Sequence, residues 1–507
     1  MVYIIRITQR LVIFVNNFFW NYIHFCCMFV TMNSKKIITM VTCAVILLYV
    51  CIIVVWHLYT PRADLPVQMP GADNRPEGSV RSIDDVLIGE FFMKFEELSS
   101  DLTGKWTRFR GGESTNIIVA PETINTSGDD YPVLWTIETG EGYAAPVIYN
   151  GRIYFLDYIE ALSSDALRCI SLETGKELWR RWYRVPMKRD HGFSRTVPVV
   201  GERYIINIGP RGHVMCCDPI TGDLKWSLDM QKDFGAEIPK WHAGQCPLVD
   251  GDIVILAPAG EEVLLAGFDC HSGEMKWSTS NTLNYKMSHS SVMPMTLCGK
   301  KTYVYIGVGG VCGVSAEKKD QGAFLWEISG WAPTTAAPSP VQITDNQIFV
   351  CAGYGTGGAL LHINRQGERW TASIIDQYKP NAGLSCEQQT PIFYRNMLIS
   401  VQPKDGGGNR MKLVCYLPSN LRNPVWTSAA DERFGYGPFV VINNHLFALN
   451  ENGELYVYEV LQQSMKLVKR QRIMDGVDAW GPLAYADGIL IVRDAYTVKG
   501  LRIGNLR

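Results

Sequence analysis

The sequence has no charge excess of either sign. Lys and Arg number 48 against 50 Asp and Glu, a net charge of −2. A general nucleic-acid binder shows a strong basic surplus, so no nucleic-acid partner is expected. There is no C-x-x-C-H, which excludes a c-type haem attached to this chain. Ser-His-Asp, P-loop and Rossmann signatures are also missing, and those chemistries have no support. Charged residues make up only 19%, beside 47% hydrophobic and 11% aromatic, and a chain this apolar buries a large core. At 507 residues, length alone would suggest about three domains. Trp is abundant, with 14 copies, and its spacing decides otherwise.

Residues 37–56, IITMVTCAVILLYVCIIVVW, carry no formal charge, and about 20 apolar residues suffice to cross a bilayer as a helix. Lys35 and Lys36 precede the run, so the positive-inside rule keeps the N-terminus cytoplasmic and exports the rest. The run exceeds a signal-peptide core and no A-x-A site follows, which favours an uncleaved anchor over a cleaved leader. The expected order is a cytoplasmic leader at 1–36 and a transmembrane signal anchor at 37–58. Met32 opens a conventional leader, so 1–31 reads as the product of a start codon placed too early. Residues 59–81, rich in Pro and polar residues, read as a linker. In 82–132, Val86, Leu87, Phe91, Phe95 and Leu98 have helical spacing, predicting a short helix capped by Ser82, followed by an edge segment.

From residue 133 to 507 the chain repeats. Pro146, Pro198, Pro247, Pro294, Pro340, Pro391, Pro438 and Pro482 each open an apolar pair, a polar turn and a second apolar run, at intervals of 44–52 residues. Asn150-Gly151, Asp250-Gly251 and Asp487-Gly488 mark the turns. A third strand, a Thr-Gly or Ser-Gly turn and a Trp-bearing fourth strand follow in most units. Four strands per period of about 40–50 residues make a propeller blade. Trp135, Trp179, Trp226, Trp277, Trp326, Trp370 and Trp426 are assigned one equivalent position, filling the gap between neighbouring sheets. The blade begun at Pro438 lacks this Trp; its fourth strand is expected near Leu467 and Val468. The last unit is too short for four strands, and VLWTIE at 133–138 precedes any first strand. The predicted fold is therefore all-β: an eight-bladed propeller of four-stranded antiparallel blades, the last closed by the N-terminal strand.

The units LRCISLETGKELW and VMCCDPITGDLKW resemble the pyrroloquinoline quinone (PQQ) repeat of quinoprotein alcohol dehydrogenases. That repeat also occurs in BamB-type and planctomycete PQQ-like repeat proteins, whose W-x-x-F-R-G opening WTRFRGG at 106–112 resembles. The resemblance implies the fold and leaves function open. A quinone enzyme of the family is implied to need PQQ, Ca²⁺ held by acidic or amide side chains, an Asp base, a stacking Trp and often a vicinal disulfide. Cys216-Cys217 is the one adjacent pair in the repeats, but strand alternation sends the two side chains to opposite faces. The ten cysteines after the anchor read as small buried hydrophobes, with few or no bridges expected.

Polar and aromatic residues cluster just before the prolines, in loops that a propeller brings to one mouth of its central channel. The candidate ligand-binding residues are His191, Arg195, Trp241, His242, His289, Glu387, Gln388, Gln389, Tyr436, Asp478 and Trp480, with Tyr143, Asp190, Gln245, Ser290 and Phe434 in the same loops. No catalytic residue is assigned. Three His at matching positions could bind a transition metal, but no short ligand spacing supports it, and none is assigned. The expectation is a membrane-anchored propeller on the extracytoplasmic (periplasmic) side, serving as a protein-binding or assembly scaffold without catalysis. No cofactor is expected. The alternatives are a PQQ- and Ca²⁺-dependent oxidoreductase acting on an alcohol or sugar, and a propeller binding a saccharide or small ligand.

Overall fold

The computed structural model describes residues 34–59, 86–126 and 128–505. The leader at 1–31, most of the linker and the Ser82 cap lie outside the described residues. The chain divides into two units at Asp85 and Val86. In the first, one helix spans Ser34–Tyr59. Its side chains are described without interruption over 41–55, all exposed. Among the described residues no helix is long and apolar enough to cross a membrane.

The second unit is an eight-bladed propeller. Blades 1 to 7 cover 147–184, 199–229, 248–280, 293–328, 341–378, 392–427 and 439–472, each a four-stranded antiparallel meander in chain order. Blade 8 takes three strands from 484–502 and its fourth from Val133–Glu138, which pairs antiparallel with Thr497–Arg502. The ring is thus closed by strands from the two ends of the repeat region, as the short last unit demanded. Met465–Arg472 forms the fourth strand of blade 7. Asn150-Gly151 and Asp487-Gly488 both take positive φ at each residue, the twist a two-residue hairpin needs.

The core lies between blades. Inner and middle strands such as Arg152–Ile159 and Ser164–Ser171 are buried on both faces, so their side chains enter two different inter-blade clusters. Cys216 packs toward blade 3 and Cys217 toward blade 1. The described cysteines are free thiols.

The Trp position is a latch between blades. Trp135, Trp179 and Trp226 donate Nε1–H to the carbonyls of Leu172, Pro219 and Cys270 in the next blade, at 2.8, 3.2 and 2.9 Å. Each ring lies on the glycine of that blade's Thr-Gly or Ser-Gly turn: Gly175, Gly222 and Gly273. These glycines have φ of 71–75°, and a Cβ at Gly273 would lie 2.7 Å from Trp226 Cγ. Only glycine fits both constraints.

Two expectations are corrected. Residues 91–94 form a strand, not a helix, pairing antiparallel along Trp179–Trp182 at the rim of blade 1. Phe91 stacks on Trp182 at 5.6 Å and Arg181 lies over Phe92 at 4.8 Å; an open sheet edge outweighs a weak helical spacing. Trp370 is not at the latch position. In blade 5 a bulge falls between Leu360 and Leu361 and sets Asp376 opposite Leu360, where other blades set Trp opposite Cys169, Cys216 or Gly267. The blade 5 hairpin is longer, and Trp370 sits toward its tip beneath Arg365.

Candidate functional site

The segment 105–118 enters the channel from the end opposite the mouth. Lys105–Trp106 pairs antiparallel with the innermost strand of blade 1 and Ile117–Ile118 pairs parallel with that of blade 7. Between them the chain rises and turns back. Thr107 accepts from Val200 N of blade 2 at 2.8 Å, and Arg108 donates to Val249 O of blade 3 at 3.0 Å. Buried Arg110 donates to four carbonyls: Ser114 and Thr115 of the turn, and Thr390 and Pro391 of blade 6. Burial pushes its guanidinium down to about 9. Arg110, Gly111, Ser114 and Asn116 all take positive φ, so the turn is tight and strained. Phe109 stands at the top of this plug and forms the floor of the mouth.

Above it lies a cavity of about 320 Å³, at the lower end of the range for ligand sites. Its wall is a nearly continuous ring of aromatic contacts. Tyr143 meets Trp480 at 4.7 Å, and Trp480 meets Tyr436 edge-on at 5.1 Å. Tyr436 Oη donates to Glu387 Oε1 at 3.0 Å. On the other side Tyr354 stacks on Trp241 at 5.4 Å, with His289 and His191 at 6.3 and 6.5 Å. Arg195 closes the circle. It donates to the carbonyls of Trp241, Asp190 and His191, and its guanidinium lies 5.4 Å over the Tyr143 ring.

The electrostatics follow from burial. Desolvation pushes His289 down to about 4, helped by Arg195, so it is neutral at pH 7. Burial raises the Glu387 carboxyl, opposed by the Tyr436 hydroxyl and Lys404. Burial also lowers Arg195. Lys404 Nζ lies 4.4 Å over the Tyr436 ring.

Nine of the eleven candidate residues line this cavity: His191, Arg195, Trp241, His289, Glu387, Gln388, Gln389, Tyr436 and Trp480. Gln389 fixes two loops by donating to the carbonyls of Tyr436 and Trp480. His242 and Asp478 do not line it. The His242 ring stacks on Phe193 at 6.2 Å, beneath the mouth loops, and Asp478 points to solvent in a left-handed turn. Phe109, Tyr354 and Lys404 were missed. Tyr354 and Lys404 follow second strands, which end at the same mouth where first strands begin. Phe109 stands in the WTRFRGG motif, whose place in the channel its sequence does not disclose.

Residues 163–385 match the family model described as outer membrane protein assembly factor BamB. The match covers blades 2 to 5 whole and part of blade 1 of the eight-bladed propeller. A search of curated proteins finds no match. Among solved structures, this chain is similar to BamB from Moraxella catarrhalis (12% identity, 74% of this chain and 100% of that one, TM-score 0.49). It is similar to a europium-containing methanol dehydrogenase (11%, 78% and 90%, TM-score 0.51) and to quinohemoprotein alcohol dehydrogenase from Comamonas testosteroni (12%, 80% and 81%, TM-score 0.41). At such identities the likeness concerns the fold alone.

Proposed function

We propose that this PQQ-like propeller is exported, held at a membrane through its N-terminal apolar helix, and serves as a protein-binding scaffold without catalysis, gripping its partner at the channel mouth. The observation that carries this reading is the plugged cup: aromatic side chains from several blades converge on one cavity that the chain's own Phe109 closes below. A preformed aromatic pocket with an arginine is the usual anchor point of a protein interface.

The residues do not fit a quinone and its metal. Cys216 and Cys217 lie on a buried strand of blade 2 with side chains in separate clusters, so no vicinal disulfide faces the mouth. The lining supplies one carboxylate, Glu387, where a Ca²⁺ site takes six to eight oxygen ligands. Among the described residues no three His, Cys, Asp or Glu gather to hold a metal. A saccharide would need free aromatic faces, but Tyr143, Trp241 and Tyr436 each carry a cation of the protein, Arg195, Lys240 and Lys404.

The test is titration of the full chain in detergent with PQQ and Ca²⁺, followed by absorbance and dye-linked oxidation of alcohols and sugars. The scaffold reading expects neither saturable binding nor turnover. Tight binding with turnover would sink it. Alkaline carbonate extraction of membranes checks the anchor, with retention in the pellet expected.

A further inference from the structure

The cup holds two cations, Arg195 and Lys404, that touch no carboxylate: Asp190 and Glu141 act on Arg195, and Glu387 on Lys404, only from beyond ion-pair distance. Arg195 is largely desolvated, yet its hydrogen bonds go to three carbonyls, all from Nε and Nη2. Among the described residues neither Arg195 nor Lys404 forms an ion pair, whereas Arg168, Arg180, Arg189, Lys300 and Arg470 elsewhere all do. Arg110, just below the floor, is also held by carbonyls alone. The one lining carboxylate, Glu387, is engaged by Tyr436. A largely desolvated guanidinium with no carboxylate in direct contact is costly, and an anion bound against it lowers that cost. Phe109 and Val197 below, with Pro482 and the aromatic ring around, give the cup an apolar part beside its polar His191, His289, Ser291, Thr335, Gln388 and Gln389.

Resting on the scaffold reading, we infer that the cup takes a carboxylate carried on an apolar residue of a partner polypeptide, with Arg195 Nη1 and Lys404 Nζ as its recognition groups. A C-terminus and an acidic side chain beside an apolar residue present the same chemistry. The volume accommodates one or two residues.

Calorimetry of the full chain in detergent tests this with four probes: N-acetyl-Phe-Leu with a free C-terminus, its C-terminal amide, N-acetyl-Ala-Asp-Leu-amide, and N-acetyl-leucine. The expected result is binding of the free acid at least about 10-fold tighter than of the amide, the worth of a charge-assisted hydrogen bond. Binding of the Asp peptide assigns the carboxylate to a side chain as well. N-acetyl-leucine binding as tightly as the peptide supports the carboxylate site and assigns it to a free acid. Arg195→Gln should weaken the acid probes, and Lys404→Gln should do so without touching the Arg195 ties to three backbone carbonyls. Glu387→Gln should tighten them. Equal binding of acid and amide overturns the inference. So does failure of every probe on protein that still crosslinks a partner through the mouth, which leaves the scaffold reading standing.

Discussion

Trp226 and Gly273 divide one task between two blades: the ring seals the gap and the glycine makes room for it. At the fully buried copy of this latch, Trp179 against Gly222, Trp179→Ala should therefore cost about 3–5 kcal/mol, read by urea denaturation. Trp370→Ala, half-buried at a hairpin tip, should cost under about 1 kcal/mol. Equal losses would contradict the latch. Six of the seven tryptophans assigned to this position in the sequence occupy it. The seventh was not legible, because the strands of the blade 5 hairpin run ten residues each and carry Trp370 past the register shift that blades 1 to 4 share, leaving Asp376 at the latch position. Asp165 is a second residue whose role only packing shows. Wholly buried, it accepts from Tyr183 Oη at 3.0 Å, and burial pushes its carboxyl up to about 7. The folded state thus keeps a proton that an unfolded Asp loses near pH 3.9. The stability this group contributes is full below that pH and falls as pH rises to about 7. His213 and His289, both lowered to about 4, act in the opposite sense between about pH 4 and 6.5. The difference between Asp165→Asn and wild type isolates the Asp term: the variant should gain relative stability with rising pH across about 4 to 7. Parallel stability curves would contradict it.

At the scale of elements, closure and plugging come from one stretch of chain. Residues 91–138 add a strand to the rim of blade 1, cross the channel, run beside blade 7 and complete blade 8. Deleting 133–138 leaves blade 8 with three strands and an open edge. Such a chain should elute as aggregate in size-exclusion chromatography, where the full chain elutes as a discrete species; a monodisperse deletion variant would refute the closure account. The closing strand was legible because a Trp motif stood before any first strand to pair with. The rim strand was not, because FFMKF reads equally as a helical stripe and only the free edge of blade 1 decides. Loops before first strands were found at the mouth through the repeating prolines. Those after second strands, carrying Tyr354 and Lys404, vary in length and have no such marker. The plug was legible as a motif but not as a position, since its contacts with blades 2, 3, 6 and 7 span up to 323 residues of sequence.

At the scale of the molecule, eight repeated sheets make a rigid wall, and the variable loops give it one cup whose chemistry no single blade contains. That division explains why fold was readable from spacing and the ligand was not. The central claim is that the mouth, and not the outer rim, is the working surface. Photocrosslinking tests it most directly. A benzoylphenylalanine at His191, exposed within the mouth, is compared in full-length protein in native membranes with one at Lys318, exposed on an outer turn. The account predicts a discrete protein adduct from position 191, weakened by Lys404→Gln, and none from 318. Adducts from 318 alone, or equally from both positions, would contradict it.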